Sequence, residues 1–169
     1  MEKNRQGLLH IYCGDGKGKT SAAVGICMSV TGVLTCALPI CFLKTENSGE
    51  VEVLRSIPGI TVPPCERTFG FVFRMTEEQK QEAALYYQSR FEAAAKEAVQ
   101  GQYDLLILDE ILASCNYGMV QEQSVVEFLK NRPSGLEVVL TGREPSENLV
   151  ELANYVSEIR MRKHPYQKG

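Results

Sequence analysis

Short apolar runs alternate with longer stretches of helical spacing along this chain. GLLHIYC at 7–13 is apolar and runs into glycines, as a buried strand does before a turn. KTSAAVGICMSV, small residues first and apolar ones after, predicts a helix directly behind that turn. VLTCALPICFLK at 33–44 is a second strand, with a break or bulge expected at Pro39, because proline donates nothing to a central ladder. TENSGEVEVLRSIPG predicts a loop, a short helix and a turn. ITVPPCERTFGFVFR predicts irregular chain broken by Pro63 and Pro64. Thr76 and Gln79 form a capping box for a long helix over 76–100, whose apolar face is Ala84, Tyr87, Phe91, Ala95 and Ala98. YDLLILDE at 103–110 has the continuous apolar centre of a parallel strand. A helix follows over 121–130, then a strand and its terminal loop in LEVVLTGR at 136–143. Ser146 caps a short helix to about 153, and YVSEIRMR at 155–162 alternates as an edge strand would.

Strands alternating with helices predict a mostly parallel sheet with helices on both faces. Ligands of such sheets bind at the carboxyl ends of the strands. Three polar clusters stand just there, GDGKGKTS, DE and TGR, and they should converge on one edge of the sheet.

Composition narrows the class. The chain has 169 residues, 44% of them hydrophobic and 23% charged, which predicts a globular protein with a sizeable core. We read 1–169 as one domain, with 1–6 as a flexible lead-in. A net charge of −3 argues against a nucleic-acid partner. No apolar run is long enough to span a bilayer, and the polar start MEKNRQG lacks a signal-peptide core, so a cytoplasmic location is expected. The six cysteines, at 13, 27, 36, 41, 65 and 115, show no C-x-x-C spacing and read as reduced thiols.

CGDGKGKTSAA at 13–23 carries the chemistry. A phosphate-binding P-loop has Gly, four residues, then Gly-Lys-Ser/Thr. Counting back from Gly18-Lys19-Thr20, the first glycine belongs at position 13, where Cys13 stands. Gly14, Gly16 and Gly18 still let backbone amides turn toward an anion, and the following helix adds its positive end. Lys19 is placed to reach phosphate oxygens, Thr20 to offer a hydroxyl to Mg²⁺, and Lys17 adds a cation inside the loop. A ligand-free glycine turn is the plain alternative. Asp109 and Glu110 end an apolar strand, where P-loop proteins keep an acid for Mg²⁺; a helix N-terminal acid is the alternative. Arg143 can hold phosphate with two donors, or form a surface ion pair. The aromatics of FGFVFR at 69–74 read as core or as an apolar ligand surface, with core the ordinary reading. His10 reads as a core or edge histidine rather than a base, and His164 lies in the C-terminal segment. No Asn-Lys-x-Asp segment supports guanine recognition, and no nucleophile–histidine set stands out.

Together these segments resemble one family, the P-loop ATP:corrinoid adenosyltransferases of the CobA/BtuR/CobO type. The resemblance rests on GLLHIYCGDGKGKTSAA, FLK at 42–44, LLILDEI, Arg132-Pro133, EVVLTGR and SEIRMRKHP, in the family's order from residue 7 to 166. It implies an α/β fold, a P-loop NTPase-like three-layer sandwich with a mostly parallel sheet and helices on both faces. It implies transfer of the 5′-deoxyadenosyl group of ATP to Co(I) of a reduced corrinoid, with triphosphate leaving and ATP held in the reverse sense, γ-phosphate end in the loop. The corrinoid would be cobalamin or cobyrinic acid a,c-diamide.

The resemblance assigns ATP contacts to Gly14, Asp15, Gly16, Lys17, Gly18, Lys19, Thr20, Ser21 and Arg143. Lys19, Lys17 and Glu110 become the catalytic set. Thr20, Asp109 and Glu110 become contacts of Mg²⁺ or Mn²⁺. Phe71 and Phe73 become the apolar wall below the corrin, reversing the core reading there. A homodimer and a flavoprotein reductant are implied as partners. The chain departs from the family at Ser29, where an arginine is usual, at Cys41, where a glutamine is usual, and after KHP, where a tail is usual. A P-loop kinase or ATPase, and an ATP- or corrinoid-binding module without catalysis, are the competing readings.

Overall fold

The structure, a computed structural model, describes residues 6–30, 37–41, 49–70, 72–101 and 103–163. Five strands make one sheet: β1 Leu9–Cys13, β2 Ala37–Cys41, β3 Leu105–Asp109, β4 Glu137–Thr141 and β5 Tyr155–Glu158. Their order is β2-β3-β4-β1-β5, and every pairing is parallel. The helices are α1 Lys19–Val30, α2 Gly49–Arg55, α3 Glu77–Gln100, α4 Ile111–Asn116, α5 Glu122–Asn131 and α6 Glu147–Leu152.

The period-2 geometry of the strands divides the core. Leu106 and Leu108 of β3 face one side with Ile11, Leu38 and Leu140, under Tyr87 and Phe91 of α3 and Val125 and Leu129 of α5. Leu105 and Ile107 face the other side with Val139, under Ala23 and Cys27 of α1 and Leu54 of α2. All five residues of β3 are buried, the mark of a strand covered on both faces. Truncating Leu108 to alanine there removes about 2–5 kcal/mol of stability.

The Thr76 capping box is present and starts α3 where the sequence puts it. Its buried face is Ala83, Tyr87, Phe91, Ala94 and Ala98. Ala84 and Ala95 stand one position off that stripe and are only partly buried. Alanines at 83, 84, 93, 94 and 95 offer no contrast by which a sequence could choose between adjacent positions. Ser146 caps α6, its hydroxyl accepting the Leu149 N–H at 3.3 Å.

Pro39 neither breaks nor bulges β2. It pairs in register with Ile107, between Leu38–Leu106 and Ile40–Leu108. β2 is an edge strand, and its outer side takes the donors that a proline lacks. The Ala37 N–H points outward to the Gly59 carbonyl at 2.8 Å, and Pro39, two residues on, shares that side. At the other edge, β5 is shorter than the alternating stretch at 155–162, and all four of its residues are exposed. The helix α4 has no counterpart in the sequence reading. It is a short turn of chain seated on the sheet by Ile111 and Leu112.

Arg132 shows how the Arg132-Pro133 dipeptide serves the fold. Its guanidinium donates to the carbonyls of Leu129 at 2.6 Å, Leu136 at 3.3 Å and Gly7 at 3.2 Å. It closes the end of α5 and ties it to the approach of β1, far from the loop at the strands' carboxyl ends. Burial lowers its pKa from the ordinary arginine value. The other end of the first strand's neighbourhood is held by His10, whose Nε2 lies 3.0 Å from Glu137 and whose ring stacks on Tyr155. His10 is thus a sheet histidine, as the sequence suggests.

Candidate active site

β3, β4 and β1 are adjacent in the sheet, so their carboxyl ends bring DE, TGR and the glycine loop side by side. The three polar clusters do converge. An open cleft of about 350 Å³ is lined by Asp15, Gly16, Lys17, Gly18, Lys19, Thr20, Ser21, Glu110 and Arg143. Gly14, the remaining residue of the expected ATP set, is not among the lining residues.

The loop's backbone explains the displaced glycines. Gly14 and Gly18 have φ of 106° and 112°, where a side chain is strained. A Cβ on Gly14 would also meet the Ile159 carbonyl, and one on Gly16 would approach it to 2.8 Å. Cys13 precedes this turn as the last, buried residue of β1. It has no need of glycine's freedom, and its thiol is pushed up chiefly by burial. The loop is fastened on two sides. The Gly14 N–H donates to the Arg143 carbonyl at 3.0 Å, and the Gly16 N–H to the Ile159 carbonyl at 2.8 Å.

Lys19 heads α1, where the helix's unpaired amides make an anion site. Its ammonium donates to the carbonyls of Gly14 at 2.8 Å and Gly16 at 2.9 Å, so it spans its own loop. Thr20 donates its hydroxyl to Asp109 Oδ1 at 2.9 Å. That leaves the oxygen's lone pairs directed elsewhere. Asp109 is 2% exposed and Glu110, beside it, lines the cleft. Glu110 has φ 62°, a left-handed conformation that costs a residue with a side chain about 1–2 kcal/mol. Its main chain is pinned at both ends. Its N–H donates to Thr141 Oγ1 at 2.9 Å, and its carbonyl accepts the Ser114 hydroxyl and N–H, each at 3.1 Å.

These donors are all oxygens, which suits a hard cation such as Mg²⁺ or Mn²⁺. Among the described residues no group of three or more His, Cys, Asp or Glu side chains could hold a metal ion by itself. Mg²⁺ usually takes one or two protein oxygens and completes its shell with water and phosphate.

Asp15 has a second engagement besides the expected ATP contact. Its carboxylate accepts the Met161 N–H at 2.9 Å, and this bond lowers its pKa from the usual value. It lines the cleft while docking the chain beyond β5 onto the loop. Sequence reasoning missed this contact, since nothing in SEIRMR marks a backbone N–H as a partner.

Phe73 does not line the cleft. It lies on a short 3-10 turn at Val72–Arg74, 79% exposed, with Arg74 over its ring at 5.6 Å. Phe69 takes the core role instead, packed against Tyr86 and Tyr87 with ring centroids 5.6 and 5.7 Å apart. The segment thus has one core aromatic, Phe69, and one exposed aromatic, Phe73. Phe71 lies outside the described residues, as do the segment at 42–44, His164 and Pro165, and the side chains of Ser29 and Cys41.

The family model for the ATP:corrinoid adenosyltransferases BtuR/CobO/CobP matches residues 5–169. The chain belongs to this family. A corrinoid adenosyltransferase of Sinorhizobium sp is 31% identical over 170 residues, 98% of this chain and 78% of that protein. The corrinoid adenosyltransferase of Escherichia coli K12 is 28% identical, covering 99% of this chain and 83% of its own. The corrinoid adenosyltransferase CobA of Salmonella typhimurium LT2 is 26% identical at the same coverage. Among solved structures, ATPases 2 and 3 of Thermomonospora curvata EccC superpose with a TM-score of 0.54 at 17% identity. Those of Geobacillus thermodenitrificans EssC reach 0.51 at 10% identity. The chain spans about a third of each of those two, and their likeness shows a P-loop-type α/β fold.

Proposed function

We propose that this adenosyltransferase acts on cobalamin or cobyrinic acid a,c-diamide, with the cleft at the carboxyl ends of β3, β4 and β1 as its ATP site. Family membership makes the reaction adenosyl transfer from ATP to a corrinoid, within cobalamin metabolism. The observation that carries the residue assignment is the make-up of the cleft. Lys17, Lys19, Arg143, the loop amides and the head of α1 converge there, and neither histidine nor cysteine is among the described residues that line it.

That make-up suits a reaction with no proton to move. Co(I) gives an electron pair to C5′ and becomes formally Co(III). The C5′–O pair leaves with triphosphate. Lys17 and Lys19 stabilise the charge that grows on the leaving group, and the loop amides hold it in place. Arg143 adds a planar, two-pronged donor at the end of β4. Thr20, Asp109 and Glu110 would hold Mg²⁺, which when bound neutralises part of the triphosphate charge. Gly14, Gly16 and Gly18 keep the loop free of Cβ atoms where the anion and the crossing chain approach.

Phe73, exposed on its turn, is the candidate for an apolar wall below the corrin, together with Phe71. Such a wall excludes an axial water and eases reduction of Co(II). A homodimer, a flavoprotein reductant and a cytoplasmic location are part of the same proposal. Among the described residues no helix is long and apolar enough to cross a membrane.

The test is an anaerobic incubation with Mg-ATP and chemically reduced cobalamin, followed by absorbance and by analysis of the phosphate product. A light-sensitive adenosylated corrinoid and inorganic triphosphate are expected. ADP, or AMP with pyrophosphate, would mark a kinase or ATPase instead. Binding of ATP with no Co–C bond formed would mark a module without catalysis.

A further inference from the structure

We propose that Thr141 is a positioning residue of this enzyme: its buried hydroxyl fixes the Asp109–Glu110 acid pair relative to Thr20 of the phosphate loop. This rests on the reading of Asp109 and Glu110 as the metal-binding acids.

Topology places Thr141 at the joint. β4 lies between β3, which ends in the acids, and β1, which feeds the loop. Thr141 ends β4, opposite Tyr12 of β1, and is 0% exposed. A threonine hydroxyl has one proton to give and lone pairs to accept with. Here both functions are engaged across the joint. The proton goes to Asp109 Oδ1 at 2.7 Å, and the oxygen accepts the Glu110 N–H at 2.9 Å. Asp109 Oδ1 also receives the Thr20 hydroxyl at 2.9 Å. The path Glu110 N–H, Thr141, Asp109, Thr20 therefore links the strained acid turn to the first turn of α1 through a single side chain of the intervening strand.

The next two residues fasten the same joint through the backbone. The Gly142 N–H donates to the Tyr12 carbonyl at 3.2 Å, and the Arg143 carbonyl accepts the Gly14 N–H at 3.0 Å. Gly142 has φ 151°, and a Cβ on it would collide with Leu112 of α4. The end of β4 is thus held between the loop and α4, and Thr141 is the side chain through which it reaches both acids. Valine at 141 would keep the shape and delete both bonds. Glu110 would then lose the bond from its N–H and keep those at its carbonyl, and Asp109 would keep only the Thr20 hydroxyl of its two threonine donors.

Equilibrium binding of ATP to the whole chain, with Mg²⁺ titrated and again in excess EDTA, tests this. Thr141→Val should need about 10- to 100-fold more Mg²⁺ for half-maximal effect, the range seen when partners that orient metal ligands are removed. Its affinity for metal-free ATP should stay within twofold of the unaltered chain. Thr141→Ser, which keeps the hydroxyl, should restore the Mg²⁺ dependence. Should Thr141→Val fail to fold, Thr141→Cys, of similar size but a weak donor, is read by the same criteria. An unchanged Mg²⁺ dependence in the Val variant, or an equal loss with and without metal, overturns the proposal. Asp109→Asn separates the two levels. If it abolishes the Mg²⁺ effect while Thr141→Val does not, the acids stand and the role of Thr141 falls. If Asp109→Asn leaves the Mg²⁺ effect intact, the metal reading falls and this inference with it.

Discussion

The carboxylate of Asp15 accepts the backbone N–H of Met161 at 2.9 Å, so an acid inside the phosphate loop is turned onto the chain that follows the last strand. The bond turns the carboxylate toward the Met161 amide but keeps its charge, which opposes a triphosphate. Asp15→Asn keeps an acceptor and removes that charge, so the apparent affinity for ATP should rise a few-fold. Asp15→Ala removes both, and the Met161 amide should exchange with solvent faster. Because this N–H lowers the Asp15 pKa, the ionised form is favoured in the fold. Docking should be complete above the ordinary aspartate range and lost as pH falls through the lowered value. The Met161 amide chemical shift across an acid titration reads this directly.

Lys19 is the cation committed to the loop, spanning the Gly14 and Gly16 carbonyls. In the proposed ATP site its ammonium would move from those oxygens onto phosphate. Lys19→Ala should lower turnover by about 100- to 1,000-fold, the scale for losing one preorganised charge-stabilising donor. Single-turnover rates with Co(I) supplied check it. A loss confined to KM would remove Lys19 from the chemical step.

Phe73 is 79% exposed, and its truncation should leave stability within about 0.5 kcal/mol. Phe73→Ala should nevertheless slow adenosylation, and more so when the protein must assist reduction from Co(II) than when Co(I) is provided. Equal losses under both conditions would count against a wall below the corrin.

Two thiols, the buried Cys27 and the partly buried Cys115, set an alkaline limit. Burial pushes the Cys27 pKa to about 11 and the Cys115 pKa to about 12, from 9.0. A raised value means that the fold favours the neutral thiol. Their contribution is whole below about pH 9 and is lost as pH rises toward the raised values. Chemical denaturation midpoints should fall between those limits, and Cys27→Ser with Cys115→Ser should flatten the decline. Alkylation of the native protein at pH 8 should mark the partly exposed Cys65 well before Cys13 or Cys27.

Much of this site was legible because its signals are local. Gly-Lys-Thr behind an apolar run and an acid pair ending LLILD identify themselves by neighbours in the chain. Thr141 was overlooked although it stands in the TGR segment. Its meaning comes from the order β3-β4-β1, which a linear pattern does not contain. The Asp15–Met161 bond escaped for a related reason, since a backbone N–H 146 residues away carries no residue-type mark. Pro39 misled because its rule concerns central strands, and the sequence does not say which strand lies at an edge.

That edge position has a further consequence. A sheet border with free amides and carbonyls invites a stray strand to add itself to the ladder. On β2 the incoming chain would meet Ile60 already paired beside Ala37, and then at Pro39 no N–H to bind. The opposite border is β5, only four residues long. Both borders of this parallel sheet are thus poor templates for aggregation, and on one of them a residue that weakens an interior strand protects the whole sheet.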